Sequence, residues 1–379
     1  MSRRVLFLDV ATASGGAQRS LREWLTHLDR ERVAPYLLAA DASAEGLLAF
    51  AREAGLPAAP IAVRPWPRSW RGAAQLLGDW WPARQALRAA LAAHRAELVH
   101  ANGLRAGLLA ALCLPRDVPL VLHHRDYLCP AWALRLVVRR AARTIVIADW
   151  LLAHVAGVVG PGLAGRLVRS YNGVDTAAVR ARAAAPWPAT AGGVAPTAPL
   201  VTLVADLARW KRHDLFLRAL AVVRQRQPTA RGLLVGGPRG PAEHPYEEEL
   251  LRLRVELGLA DHCGFAGHLP DAAPALAASA VVVSVAAHEP FGRTVLEALA
   301  LGRPLVLAGG GGPAEIAGHL PLAHCTADAP SAIADAICTW LEHPPTAEQT
   351  TATLKAITQR FSWTQLAHDQ TDLLLACAP

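Results

Sequence analysis

Glu289-Pro290-Phe291-Gly292-Arg293-Thr294-Val295-Leu296-Glu297 follows an apolar run, Val281 to Val285, and opens a helix. Its two carboxylates stand eight residues apart: Glu289 in the loop, Glu297 about two turns into the helix. Gly292 lets the backbone turn and come close to a ligand. The first turn of a helix leaves N–H groups without an intrahelical acceptor, at the positive end of the helix dipole, and this favours a phosphate. A carboxylate further in accepts hydrogen bonds from a diol such as ribose. The one in the loop reaches a second polyhydroxyl group. The arrangement suits a sugar nucleotide.

The stretch continues through Ala298-Leu299-Ala300-Leu301-Gly302-Arg303-Pro304-Leu305-Val306 and Gly312-Pro313-Ala314-Glu315-Ile316. From Glu289 to Glu297 it resembles the E-x7-E motif of the retaining glycosyltransferases of family 4. The resemblance implies a GT-B fold of two doubly wound Rossmann-like domains facing a cleft. It implies that Glu289 holds the donor sugar's hydroxyls, that Glu297 holds the ribose, and that Phe291, Gly292, Arg293 and Thr294 line the donor site.

Of 38 Lys plus Arg, only Lys211 and Lys355 are lysines. This bias, with abundant Ala and Pro, fits a GC-rich genome. A lysine kept against it points to a need for a compact ammonium. Lys211 stands in Leu200-Val201-Thr202-Leu203-Val204-Ala205-Asp206-Leu207-Ala208-Arg209-Trp210-Lys211, which reads as strand, loop and helix start. The segment is similar to the one in which the family's Arg and Lys clamp the donor diphosphate. Lys211 matches the Lys. The Arg position holds Asp206, a departure; either Arg209 or Arg212 supplies the missing charge, or the diphosphate is held less tightly.

The net charge of +7 is uneven. Residues 1–170 carry 22 Arg against 12 acids, and residues 171–379 carry 16 cations against 19 acids. A basic first half suits an anionic acceptor or the surface of a membrane; arginine bias and attraction of the nucleotide are the plainer account. Trp66, Trp70, Trp80 and Trp81 cluster with Arg64, Arg68, Arg71 and Arg84, which fits either membrane contact or a buried helix with an arginine rim. No nucleic-acid module is recognisable. The six cysteines are scattered without C-x-x-C spacing, so reduced thiols in the cytoplasm are expected, with the inner face of the membrane as an alternative place. The N-terminus reads as a buried strand, not an exported leader. No apolar run reaches transmembrane length. No D-x-D or H-E-x-x-H occurs, and neither metal nor cofactor is expected beyond the nucleotide-sugar co-substrate.

Strands at Val5–Val10, 32–40, 97–101, 119–123 and 144–148 alternate with helical periodicity, and an Ala/Pro-rich stretch, 183–199, follows. Strands near Leu200, Gly232, Cys263, Val281 and Leu305 resume the pattern. This predicts α/β architecture with parallel sheets. The expected domains are 1–172, on the acceptor side; 173–362, holding the nucleotide sugar; and 363–379, a helix that in the family returns to the first domain. Asn172-Gly173 reads as a turn at the junction.

Gly15-Gly16-Ala17-Gln18 follows the first strand and opens a helix; it resembles the family's N-terminal Gly-Gly loop, where Gln18 replaces a Glu, and implies that Gly15 and Gly16 face the donor. His123-His124-Arg125-Asp126 follows another strand. In the family a His stands near the transferred sugar there; the aligned position holds Arg125, or His124 after a one-residue shift. Phe265-Ala266-Gly267-His268 and Gly236-Gly237-Pro238 are further candidates for the nucleotide pocket. The resulting reading is transfer of a sugar from a nucleotide-diphospho-sugar to a hydroxyl acceptor. A uridine donor comes first and GDP-mannose next; the acceptor is an envelope glycan or lipid, or a secondary metabolite. A sugar-nucleotide epimerase and a non-catalytic scaffold stand as alternatives.

Overall fold

The computed structural model describes residues 2–41, 43, 44, 46–63, 71–186, 193 and 198–377, with only the backbone given at 71–79 and 241. The chain divides into two compact units. One comprises Met1–Gly173 and Trp363–Pro379, the other Val174–Ser362.

In the first unit the strands are β1 (Arg3–Asp9), β2 (Val33–Ala39), β3 (Ala58–Pro60), β4 (Leu98–Asn102), β5 (Leu120–His124), β6 (Arg143–Val146) and β7 (Leu167–Arg169). They form a parallel sheet in the order β3-β2-β1-β4-β5-β6-β7. Val5 to Leu8, Leu98, Val99 and Leu120 to Leu122 are all buried. Such unbroken apolar runs belong to strands covered on both faces by helices. The strand order reverses between β1 and β4.

The helix Trp363–Leu375 packs on this same unit. Trp363 is buried and its indole Nε1 donates to Glu23 at 2.7 Å. Gln370 Nε2 donates to Ser170 Oγ at 3.1 Å and to the Tyr171 carbonyl at 3.0 Å.

The second unit contains β8 (Leu200–Val204), β9 (Arg231–Val235), β10 (Cys263–Phe265), β11 (Val281–Ser284), β12 (His288–Glu289), β13 (Leu305–Ala308), β14 (Gly310–Gly311) and β15 (Ala323–Thr326). Its main sheet is parallel, in the order β10-β9-β8-β11-β13-β15, and reverses direction between β8 and β11. Phe216, Leu220, Val281, Val306 and Ile337 lie at the centre of its core. The doubly wound reading therefore holds in both units. Edge strands β3, β7 and β15 and the two-residue pair β12–β14 were not expected from the sequence.

Among the described residues no helix is long and apolar enough to cross a membrane. Trp66, Trp70, Arg64 and Arg68 lie outside the described residues, and the side chain of Arg71 does too. Trp81 is exposed, with the Arg84 guanidinium 5.5 Å from its ring centroid.

Candidate functional site

In open parallel sheets, ligands bind beyond the carboxyl ends of the strands where the order reverses. In the second unit those ends belong to β8 and β11. Lys211 follows β8 on a 3-10 turn, Arg209–Lys211, and Glu289 follows β11 in β12. Their side chains meet, Lys211 Nζ donating to Glu289 Oε2. The ammonium also lies 4.1 Å from the centroid of the Trp210 ring. Both side chains are mostly covered, so their mutual attraction is screened less than that of a surface pair.

Glu289 is fixed by its backbone. His288 and Glu289 pair with Gly310 and Gly311 in a two-residue parallel ladder. A Cβ at Gly311, where φ is 105°, would stand 2.5 Å from the Glu289 carbonyl oxygen. Gly292 then turns the chain through φ 97° and caps the helix Arg293–Ala300. A side chain there would meet Pro313 at 2.9 Å. Phe291 is buried below the turn, its ring 6.4 Å from that of Phe361. The helix start, with the backbone of Arg293 and Thr294, is thus held beside Glu289.

Glu297 lies mostly covered on that helix between two arginines. Arg293 Nη2 donates to its Oε1 at 3.2 Å, and Arg182 Nη2 lies 3.7 Å from the same oxygen. Arg182 also bonds Asp271 through Nε at 2.8 Å. Sequence reasoning passed over Arg182, which sits in the helix Thr176–Ala183 after the junction.

Two further cations turn away from Lys211. Arg209 Nη2 donates to Glu249 at 2.6 Å and its guanidinium lies over Tyr246. Arg212 bonds Asp328. Neither side chain supplies charge at Asp206. A different residue does: Arg239, in the loop after β9, donates from Nε to Asp206 Oδ2 at 2.6 Å. Its only forewarning in the sequence was the preceding Gly236-Gly237-Pro238.

In the first unit the reversal lies between β1 and β4, and a buried polar network occupies their ends. Asp9 Oδ2 accepts from Gln18 Nε2 at 2.9 Å and from Asn102 Nδ2 at 2.6 Å, while Oδ1 accepts from the Ala11 amide at 2.9 Å. Arg125, 6% exposed, donates from Nε to Asn102 Oδ1 at 2.8 Å and from Nη1 to Asn172 Oδ1 at 2.5 Å. Its Nη2 lies 3.2 Å from His123 Nδ1, which also lies 3.2 Å from His100 Nε2. His123 Nδ1 must then be the lone-pair nitrogen.

Burial raises the Asp9 carboxyl above its ordinary range, against the hydrogen bonds of Asn102, Gln18 and Ala11 and the charge of Arg125. Burial, with Arg125 adding to it, lowers His100 to about 3 and puts His123 well below the usual imidazole range. Arg125 therefore braces the ends of β1, β4 and β5 together with Asn172. His124 is fully buried, and burial lowers its imidazole against the charge of Asp126. The backbone of Asp126 opposes that lowering as well.

Gly15 is extended and caps the helix Gly16–Thr26, which puts Gln18 in reach of Asp9. Its φ of −149° is open to any residue, so the glycines are not demanded by backbone conformation.

A family model described as Glycosyltransferase Family 4 matches residues 14–178, and one described as Glycosyl transferases group 1 matches residues 191–355. The D-inositol 3-phosphate glycosyltransferase of Streptomyces griseus is 34% identical over 179 residues, 44% of this chain and 36% of that protein. Mannosylfructose-phosphate synthase of Agrobacterium fabrum is 34% identical over 117 residues, 30% of this chain and 26% of that protein. The chain thus matches only about a quarter to a third of the length of these two curated relatives. The crystal structure of Anabaena HepE in complex with UDP and glucose is 25% identical, with a TM-score of 0.80, and covers 98% of this chain and 99% of that one. With two doubly wound units, this likeness makes the fold GT-B. Both halves match glycosyltransferase models, and the chain belongs to glycosyltransferase family 4.

Proposed function

We propose that the protein is a retaining glycosyltransferase that moves a sugar from a nucleotide-diphospho-sugar to a hydroxyl acceptor without a metal ion. The observation that carries this reading is the Lys211–Glu289 pair at the reversal point of the second sheet, beside the Gly292-capped helix. An ammonium, a carboxylate and a helix N-terminus are three different chemistries in one place. The first and third stabilise negative charge; the second accepts hydrogen bonds from sugar hydroxyls.

When the bond to the diphosphate breaks, an oxocarbenium-like sugar and an anionic leaving group form. Lys211 and the helix start stabilise the leaving phosphate. Glu289 exchanges its bond to Lys211 for the donor's hydroxyls, and Glu297 takes the ribose, held in place by Arg293 and Arg182. The departing phosphate takes the acceptor's proton on the same face, so no protein base is invoked. Arg125 and His124 have no direct part in this scheme; the first braces the strand ends of the acceptor-side unit.

A uridine donor is favoured, supported by the likeness to HepE, whose crystals hold UDP, and GDP-mannose is next. For the acceptor, the basic first half suits an anionic group on an envelope glycan or lipid. The names of the curated relatives add a phosphorylated polyol to the panel. Contact with the inner face of a membrane belongs to this proposal and rests on the same charge.

The test is a thermal-shift titration with UDP, GDP and their common sugars, followed by turnover of the donor that binds. A nucleotide at about 100 times its dissociation constant raises stability by roughly 2.7 kcal/mol. Lys211→Ala should abolish most of that shift and slow turnover roughly 10²–10³-fold, the usual cost of one such donor. Full activity in Lys211→Ala would sink the assignment. Donor turnover without any acceptor would favour an epimerase.

A further inference from the structure

At the carboxyl ends of β8, β9 and β10 three loops close on one another. The Leu207 amide donates to the Gly237 carbonyl at 3.0 Å, and the Gly236 amide to the Gly267 carbonyl at 2.8 Å. His268 Nε2 lies 3.2 Å from the Pro238 carbonyl. Three polar side chains project from this knot. Arg239 contacts Asp206 Oδ2 through Nε and Nη2, each at 2.6 Å, and His268 Nδ1 lies 3.9 Å from Asp206 Oδ1. Among the described residues no hydrogen bond or ion pair joins this cluster to Lys211 or Glu289.

Its position is tied to Lys211 nonetheless. Asp206 precedes Lys211 by five residues. The intervening chain is wound up by the Ala208 amide on the Asp206 carbonyl and the Lys211 amide on the Ala208 carbonyl, both at 2.8 Å. Arg239 is therefore anchored to the segment that carries Lys211. Arg209, Arg212 and Arg293, which share this edge, bond Glu249, Asp328 and Glu297. Arg239 spends one side of its guanidinium on a single carboxylate oxygen, and its side chain is 52% exposed. A guanidinium has five N–H donors in a fixed fork, and that fork matches phosphate oxygens.

We infer that Arg239 is a second cationic contact of the donor diphosphate, reaching in from the loop after β9, with Asp206 as the residue that positions it. The inference rests on the nucleotide-sugar reading above. Asp206 turns the guanidinium edge-on and leaves the outer edge for the ligand, so a carboxylate beside an anion site serves to aim its neighbour.

The experiment compares UDP with uridine, and GDP with guanosine, by titration calorimetry on the wild type, Lys211→Ala and Arg239→Ala. Arg239 is half exposed, so its loss leaves the thermal midpoint unchanged, and Arg239→Gln serves as a second variant. Arg239→Ala is expected to weaken the diphosphate nucleotide about 10- to 100-fold, as for one charge-assisted hydrogen-bonded contact, and to leave the nucleoside unaffected. Wild-type diphosphate affinity in Arg239→Ala, with Lys211→Ala weakened, overturns the role of Arg239 and leaves the nucleotide-sugar reading standing. Equal loss of nucleotide and nucleoside makes Arg239 a loop-packing residue and also overturns it. A wild type that binds UDP and GDP no better than their nucleosides removes both.

Discussion

Acidification should loosen the Lys211 segment through one buried histidine. His213 begins the helix His213–Arg226 directly after Lys211-Arg212, and it is fully buried. Its Nε2 makes one long contact, 3.4 Å to the Ala205 carbonyl, and its ring lies 5.9 Å from that of Tyr246. Burial, helped by the charge of Lys211, lowers its pKa from 6.5 to about 4, against the Ala205 carbonyl, Asp214 and Asp206. A lowered folded value means that the unfolded chain takes up the proton first. The stability is present above pH 6.5 and is lost as pH falls toward 4. Between pH 7 and pH 5 the linkage integrates to about 2 kcal/mol. For a unit of this size that is about 4–8 °C in midpoint. His213→Phe keeps a ring and removes the titration. Urea unfolding of both proteins at pH 7 and pH 5 isolates the effect as a difference of differences, because His100 and His123 titrate in the same direction in both. Wild type should lose about 2 kcal/mol more than His213→Phe over that interval. Identical pH dependence in the two proteins would refute the assignment of a neutral, buried His213.

Two other substitutions separate the roles in each unit. Glu289→Gln removes the carboxylate that occupies Lys211; UDP should bind as tightly or a few-fold tighter, because one opposing charge is gone, while turnover of the sugar donor falls. Calorimetry and a donor-consumption assay on the same preparation check both halves. Arg125→Met leaves the carbonyl oxygens of Asn102 and Asn172 without their buried donor and removes the cation facing Asp9. The expected cost is about 3–5 kcal/mol, seen as a midpoint lower by on the order of 10 °C, with turnover per folded molecule less affected than in Lys211→Ala. Melting curves read against turnover at low temperature decide it.

Much of this was legible in the chain because it depends on local pattern. Buried parallel strands read as apolar runs, so β1, β8, β11 and β13 were visible. The edge strands were not: β3 and β7 are three residues long and partly exposed, and so carry no apolar run. Lys211 and Glu289 were singled out separately, one for its rarity and one for its motif. The sheet order, which local pattern does not reveal, explains why they meet: Val204 and Ser284, the last residues of β8 and β11, are 80 apart in sequence, yet the two strands pair side by side.

Partners of the arginines were the least legible part, for a physical reason. A guanidinium on a long stem takes its place from whichever carboxylate a distant loop presents, and the sequence does not rank those choices. Arg209 finds Glu249 forty residues on, and Asp206 finds Arg239 thirty-three residues on. Arg125 differs in the opposite way, since arginine is seldom buried unless paired, and here amide oxygens and an imidazole nitrogen hold it. An acid at position 206 is unfavourable for a phosphate site only while it is read alone. Bonded to Arg239 it forms a neutral pair that still presents the outer N–H donors of the guanidinium, so what matters at a loop position is the cluster the fold assembles there and not the single residue.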